Sequence, residues 1–175
     1  MIGDGKIGDI EQIRATNQPT LTDDVTLALR AITEKRATTM THMIDKAKED
    51  DQFARDAVWQ YGLDNGEDFK GIMINPDDIR EFADKFTNTL EANVYEMETV
   101  NVTDDEFEVH FHYCPYVARW LRMGKNPVEL SHLCDTCMLG DQATASVFNK
   151  IDFHLGDTIA KGNSYCKLRY TRHQE

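Results

Sequence analysis

No stretch of this 175-residue chain approaches the ~20 consecutive apolar residues of a membrane-spanning helix. The start, Met1-Ile2-Gly3-Asp4-Gly5-Lys6, lacks the basic segment and apolar run of a secretion signal, so export is not expected. Basic residues are scarce. Nineteen Lys and Arg stand against 31 Asp and Glu, giving a net charge of -12 and a pI near 4.9. Such a surface repels phosphate backbones and anionic lipids, so neither nucleic acid nor a membrane is an expected partner. A few Arg or Lys in a pocket can still outweigh distant charge and hold a small anionic substrate. Cysteine is also sparse. Four residues make a thin disulfide framework for a chain of this size, which points to a reducing, cytoplasmic setting and free thiols. A phosphate-binding Gly-rich loop, a nucleophile-elbow Ser and an H-E-x-x-H motif are all missing. What remains is ordinary for a globular domain with a real core: 41% hydrophobic and 29% charged residues.

The patterning divides the chain. Residues 1–20, with three glycines and a proline, read as a flexible N-terminal arm with at most a helical turn near Ile10 and Ile13. Residues 21–175 read as one α+β domain, with a helical half over about 21–92 and a sheet-containing half over about 93–175. A long helix is predicted from Thr22, as cap, to Glu49, with Val25, Leu29, Ile32, Met40, Met43 and Ala47 as its apolar stripe. A second runs from Asp51 to Leu63, with Phe53, Ala57 and Tyr61 on one side and Gly62, Asn65 and Gly66 as its stop. A third starts at Asn75-Pro76-Asp77-Asp78 and buries Ile79, Phe82, Phe86 and Leu90. The period then changes. Asn93–Val102 and Glu106–Tyr113 predict a hairpin around Thr103-Asp104-Asp105. A short helix follows at Pro115–Met123, closed by Gly124, and another opens with Asn126 as cap and Glu129 in a capping box, running through Cys137. Ile151–Thr171 reads as strands with a tight turn at Lys161-Gly162-Asn163-Ser164. The architecture expected is N-terminal helices packed on an antiparallel sheet with inserted short helices.

Candidate chemistry lies in the second half. Alternation along Glu106–Cys114 puts His110, His112 and Cys114 on one face. Such a polar face either lines a pocket or meets solvent. Cys114 precedes Pro115 and so stands at a helix N-cap, where unpaired N–H groups and the dipole favour thiolate. A thiolate there is a nucleophile or a metal ligand; a buried small residue is the competing reading. Cys134-Asp135-Thr136-Cys137 is a C-x-x-C whose thiols share a helix face, with Asp141 one further turn on. With His132 nearby, Cys134 and Cys137 are candidate zinc ligands, although structural zinc wants four. Cys166 sits with Leu168 and Tyr170 on a strand face that suggests burial. Arg169 points the other way, and Arg36 lies mid-helix near the apolar stripe.

Taken together, His112-Tyr113-Cys114-Pro115-Tyr116, then Cys134-Asp135, then the hairpin from Gly156 to Cys166 resemble the L-2-amino-thiazoline-4-carboxylic acid hydrolase family. The front half agrees in style, with a long helix carrying Arg36 and a segment Ala57 to Gly62. The same three-cysteine order, Cys114, Cys134 and Cys166, also resembles the 4-vinyl reductase domain. The first resemblance implies hydrolytic opening of a carbon–nitrogen bond in a small cyclic substrate. Cys114, His110, His112 and Cys134 are then the catalytic candidates, and Arg36, Arg169 and Tyr61 the substrate-binding ones. The second implies a small-molecule or metal-binding sensory module without turnover. One departure stands out: Cys137 occupies the place, three after Cys134, where relatives of the first family carry an acid. A homo-oligomer pairing through the long helix is the expected quaternary state.

Overall fold

The computed structural model describes residues 7–47 and 52–173. Among these are seven α-helices and one four-stranded antiparallel sheet, so the fold is α+β as expected. The helices are α1 (Ile10–Thr16), α2 (Asp24–Ala47), α3 (Gln52–Gly71), α4 (Ile79–Thr87), α5 (Leu90–Tyr95), α6 (Pro115–Arg122) and α7 (Pro127–Ser146). The strands are β1 (Met97–Val102), β2 (Glu106–Phe111), β3 (Ile151–Leu155) and β4 (Cys166–Arg172), in the order β1-β2-β4-β3. A single 3-10 turn, Ile159–Lys161, joins β3 to β4.

The sheet has one core face and one polar face. Registers Phe107↔Tyr170, Val109↔Leu168 and Phe111↔Cys166 place these side chains together on the core side. There Phe82 of α4 meets Tyr170 at 4.8 Å between ring centroids and Phe69 of α3 at 5.0 Å, in an aromatic cluster that ties helices to sheet. On the other face Glu108 pairs with Lys167 at 2.9 Å and Glu106 with Arg169 at 3.3 Å.

Locally encoded signals appear where predicted. The β1–β2 turn is held by Thr103, whose hydroxyl accepts the N–H groups of Asp105 and Glu106. At α7 the Asn126 side chain accepts from Glu129 N–H while Glu129 reaches back to Asn126 N–H, a full capping box. Cys114 is the N-cap of α6 with Pro115 behind it.

Several helices depart from expectation. Asp23, not Thr22, caps α2, its carboxylate accepting Thr26 N–H. The buried face of α2 is Thr26, Arg30, Thr33, Ala37, Met40, Thr41 and Ile44, while Val25 and Ile32 of the expected stripe are more than half exposed. Arg30 can be buried because it is fully engaged. It donates to the carbonyls of Leu21, Asn93 and Val94, pairs with Glu96 at 2.9 Å, and lies 4.3 Å over the Tyr113 ring. Gly62 and Gly66 do not stop α3, which continues to Gly71. They face α7 instead: a Cβ on Gly62 would lie 2.3 Å from Gly140 O, and one on Gly66 2.7 Å from Thr144 O. These glycines let two backbones approach, and Thr144 donates to Gly62 O across the contact. Phe53 and Tyr61, read as lying on one side of the second helix, are exposed, and Leu90 opens α5 instead of packing behind α4. Asp78 rather than Asn75 caps α4, accepting from Arg80 and Glu81 N–H. The predicted boundaries at Glu49 and Asp51, and the first six residues of the expected arm, lie outside the described residues. The rest of that arm is packed: Ile13 of α1 is fully buried, and Gly8 N–H donates to Lys161 O at 2.8 Å.

Candidate active site

The four cysteines converge from three places. Cys114 caps α6, Cys134 and Cys137 lie one turn apart on α7, and Cys166 begins β4. All four are free thiols. Cys134 and Cys166 belong to the buried core, and Cys114 and Cys137 pack against it, so the four share one interior region. Asp141, one turn after Cys137 on α7, faces the same region and is the leading charged neighbour of Cys137. Tyr95, at the end of α5, and Tyr116 of α6 complete the lining.

The expected thiolate at position 114 is overturned. The N–H groups of Val117 and Tyr116 pull its pKa down, but burial outweighs them and pushes the thiol up to about 11. Its side chain makes no capping hydrogen bond. Burial likewise pushes Cys134 to about 12 and holds Cys137 and Cys166 well above the ordinary range. The buried Thr158 hydroxyl, hydrogen-bonded to the Cys134 sulfur, works the other way on Cys134. At neutral pH these groups are thiols and need a base to become nucleophiles.

Asp141 has the properties of that base. It is partly buried by surface area, yet packed deeply enough for desolvation to dominate. Burial raises its carboxyl pKa to about 6, with Arg36 opposing the rise. A carboxylate tuned upward into this range is poised to exchange protons near neutrality. Sequence reading placed Asp141 on the cysteine face of α7 but gave it no role. The signal available was the i, i+3, i+7 spacing of Cys134, Cys137 and Asp141 on one helix.

Arg36 and Tyr61 stand at the rim. The Arg36 guanidinium lies 4.9 Å from the Tyr61 ring centre and donates to its hydroxyl, joining α2 to α3. Burial lowers the Arg36 pKa, but Tyr116, Tyr61 and Tyr95 raise it further, so it stays cationic. Its charge lowers the pKa of Cys137 and Asp141.

The histidines do not join them. Strand β2 ends at Phe111, and the alternation that would carry His112 through to Cys114 ends with it. His110 contacts Glu108 at 2.8 Å and stacks on Tyr165 at 4.0 Å between ring centres; His112 contacts Glu98 at 2.7 Å. Both belong to the polar side of the sheet, as does Arg169, which pairs with Glu106. The expected grouping of His110 and His112 with Cys114 is therefore corrected, while Arg169, read as pointing away from the Cys166 face, does so and meets Glu106. The candidate zinc set separates for a helical reason. His132 lies two residues before Cys134 and is exposed, whereas Cys134 is buried. Among the described residues no three His, Cys, Asp or Glu side chains are grouped to hold a metal ion. No described helix is long and apolar enough to cross a membrane.

Comparison with protein families matches residues 26–170 to the L-2-amino-thiazoline-4-carboxylic acid hydrolase family. The chain belongs to this family. The match spans every residue of the interior cluster and the Arg36–Tyr61 rim. Comparison with curated protein sequences finds no match. Among solved structures, the chain is similar to subunit 3 of a trafficking protein particle complex from Naegleria fowleri, covalently bound to palmitic acid. The TM-score is 0.54 at 8% identity, over 84% of this chain and 96% of that one, a likeness of fold.

Proposed function

We propose that this member of the hydrolase family opens a small cyclic, carboxylate-bearing substrate of the 2-amino-thiazoline type at a carbon–nitrogen bond. The observation that carries the reading is the convergence of Arg36, Cys114, Cys137 and Asp141 from α2, α6 and α7 on one region. Arg36 is the group for the substrate carboxylate, with Tyr61 beside it. Asp141 takes the proton of Cys114 as its sulfur bonds to the ring carbon between the heteroatoms. The carbon–nitrogen π pair moves onto the ring nitrogen, which takes that proton from Asp141; the remaining single bond then breaks as the exocyclic amine becomes an imine, and the proton this amine gives up passes through Asp141 to the leaving nitrogen. Water, deprotonated by Asp141, attacks the same carbon; the sulfur–carbon bond breaks and the thiol recovers its proton. Cys134 and Cys137 flank the reacting sulfur, and no step needs a metal. The chemistry belongs in the reducing cytoplasm, where four free thiols persist.

Turnover of 2-amino-thiazoline-4-carboxylate tests this. Cys114→Ser should abolish activity while circular dichroism stays native. A variant that keeps activity removes the thiol mechanism. Two copies are proposed to pair through the exposed face of α2; a monomer by light scattering at working concentrations removes that pairing.

A second reading is a domain that holds a ligand without turnover. It is favoured by thiols that burial holds protonated. It is also favoured by a fold shared with a protein that carries a covalently bound fatty acid. A stoichiometric small molecule found by native mass spectrometry, with no turnover of any cyclic substrate, would establish it.

A further inference from the structure

Cys114 is held from outside its own helix. The Asn17 side chain, at the C-terminal cap of α1, accepts Cys114 N–H at 2.8 Å and donates to Cys114 O at 3.0 Å. Asn17 itself is 5% exposed. The Cys114 carbonyl also accepts Ala118 N–H, the first turn of α6, at 3.1 Å. Both polar groups of the Cys114 backbone are thus fixed, whereas its side chain makes no capping bond.

The segment that presents Asn17 is anchored on both sides of the thiols. Gln12 donates to Gly162 O at 2.6 Å, and Gly8 donates to Lys161 O at 2.8 Å. Lys161 in turn pairs with Asp135, beside Cys134, at 2.8 Å. Ile13 of α1 is fully buried. Beyond Asn17, the N–H groups of Thr20 and Leu21 donate to Glu96 at 2.6 and 2.9 Å. Residues 8–21 therefore run as a strap from the 3-10 turn to the end of α5, with Asn17 at its centre on Cys114.

We propose that Asn17 is a positioning residue for Cys114: its carboxamide clamps the Cys114 N–H and C=O together and so sets the direction of the thiol. The chemistry of the side chain suits the task. A carboxamide is donor and acceptor at once, which one backbone residue presenting N–H and C=O requires. A carboxylate keeps the acceptor and loses the donor. Asn17 lies ahead of the residues matched to the family, so the strap adds to the matched part of the chain. The proposal rests on Cys114 being the reacting thiol, and its test is built to fail separately from that reading.

The test uses the full chain, iodoacetamide at pH 8, and peptide mass spectrometry to follow each cysteine. In Asn17→Ala, Cys114 should be alkylated about tenfold faster or more, from freer local opening. Cys134 and Cys166 should keep their wild-type rates. Asn17→Asp, which retains the bond to Cys114 N–H, should fall between. With 2-amino-thiazoline-4-carboxylate, kcat should fall about tenfold in Asn17→Ala and KM should stay within about twofold, since Arg36 is untouched. Wild-type Cys114 labelling in both variants overturns the clamp. So does labelling that rises in step with Cys134 and Cys166, the signature of general loosening. If Asn17→Ala does not fold, Asn17→Asp decides by the same criteria. A wild-type protein that turns over no cyclic substrate sinks the hydrolase reading, while the labelling pattern still decides the role of Asn17.

Discussion

Replacing Asp141 with Asn should make the protein more stable and less active. The Asp141 carboxyl is raised from its ordinary 3.8 to about 6, because burial penalises the charge more than Arg36 favours it. A displacement of that size corresponds to up to about 3 kcal/mol carried against the native state once the group is ionised. The sign follows from proton uptake. Between about pH 4 and 6 the native protein holds a proton that the unfolded chain has released. The stabilisation from Asp141 is therefore full below about pH 4 and is lost as pH rises through about 6. Asn has nearly the same shape and no charge. Its amide brings donors that cost about 1 kcal/mol if unmet, leaving a net gain of about 2 kcal/mol at pH 8. For a chain of this length that is a Tm higher by about 4–8 °C. Urea unfolding followed by tryptophan fluorescence, repeated from pH 4.5 to 8, reads this directly. The gain should shrink toward zero at the acid end. An Asn variant no more stable at pH 8, or more stable by the same amount at every pH, would refute the reasoning. In the same preparation kcat should fall by about 100-fold or more if Asp141 moves the protons.

Gly62→Ala should destabilise by about 3 kcal/mol, since a Cβ there would sit 2.3 Å from the Gly140 carbonyl and force α3 from α7. Gly140→Ala is the control: its nearest neighbour would be Val58 at 3.6 Å, and thermal denaturation should show no loss. Arg30→Ala should cost about 3 kcal/mol in urea unfolding, because the largely buried Glu96 carboxylate loses its cation and keeps only its bonds from Thr20 and Leu21. Although burial raises the Glu96 carboxyl pKa, the N–H groups of Leu21 and Thr20, the Thr20 hydroxyl and Arg30 bring it below its usual 4.5. Its stabilising share is therefore present above about pH 4.5 and lost as pH falls through the lowered value. His110→Gln and His112→Gln should leave turnover within about twofold of wild type, since both rings sit on the polar side of the sheet. A loss of 100-fold in either would return them to the mechanism.

Much of the local structure was legible without coordinates because neighbouring residues decide it. The turn at Thr103-Asp104-Asp105 and the Asn126–Glu129 capping box depend on hydrogen bonds closed within a few residues, and the Cys114-Pro115 helix start depends on the fixed φ of Pro115. The α+β class, and the placing of all four cysteines in the chemical half, follow from the same local periods and motifs. Other features have no local cause. Val25 and Ile32 look like core, yet α2 turns Arg30 inward because its donors are met by Leu21, Asn93, Val94 and Glu96. Gly62 and Gly66 look like a helix stop and instead admit α7.

The cysteine site divides the same way. By itself the sequence determined which residues have the chemistry: Cys114 at a helix start, Cys134 and Cys137 on one helix face, Arg36 on a long helix. Only the tertiary structure decided their partners and their protonation. It set His110 and His112 apart from Cys114, because the strand ends before the alternation reaches it. It raised Asp141 and the thiols together, since desolvation depends on what packs around a group and not on its neighbours in sequence. It also seated Asn17 on Cys114, 97 residues away along the chain, turning a segment that read as a loose arm into part of the site's frame.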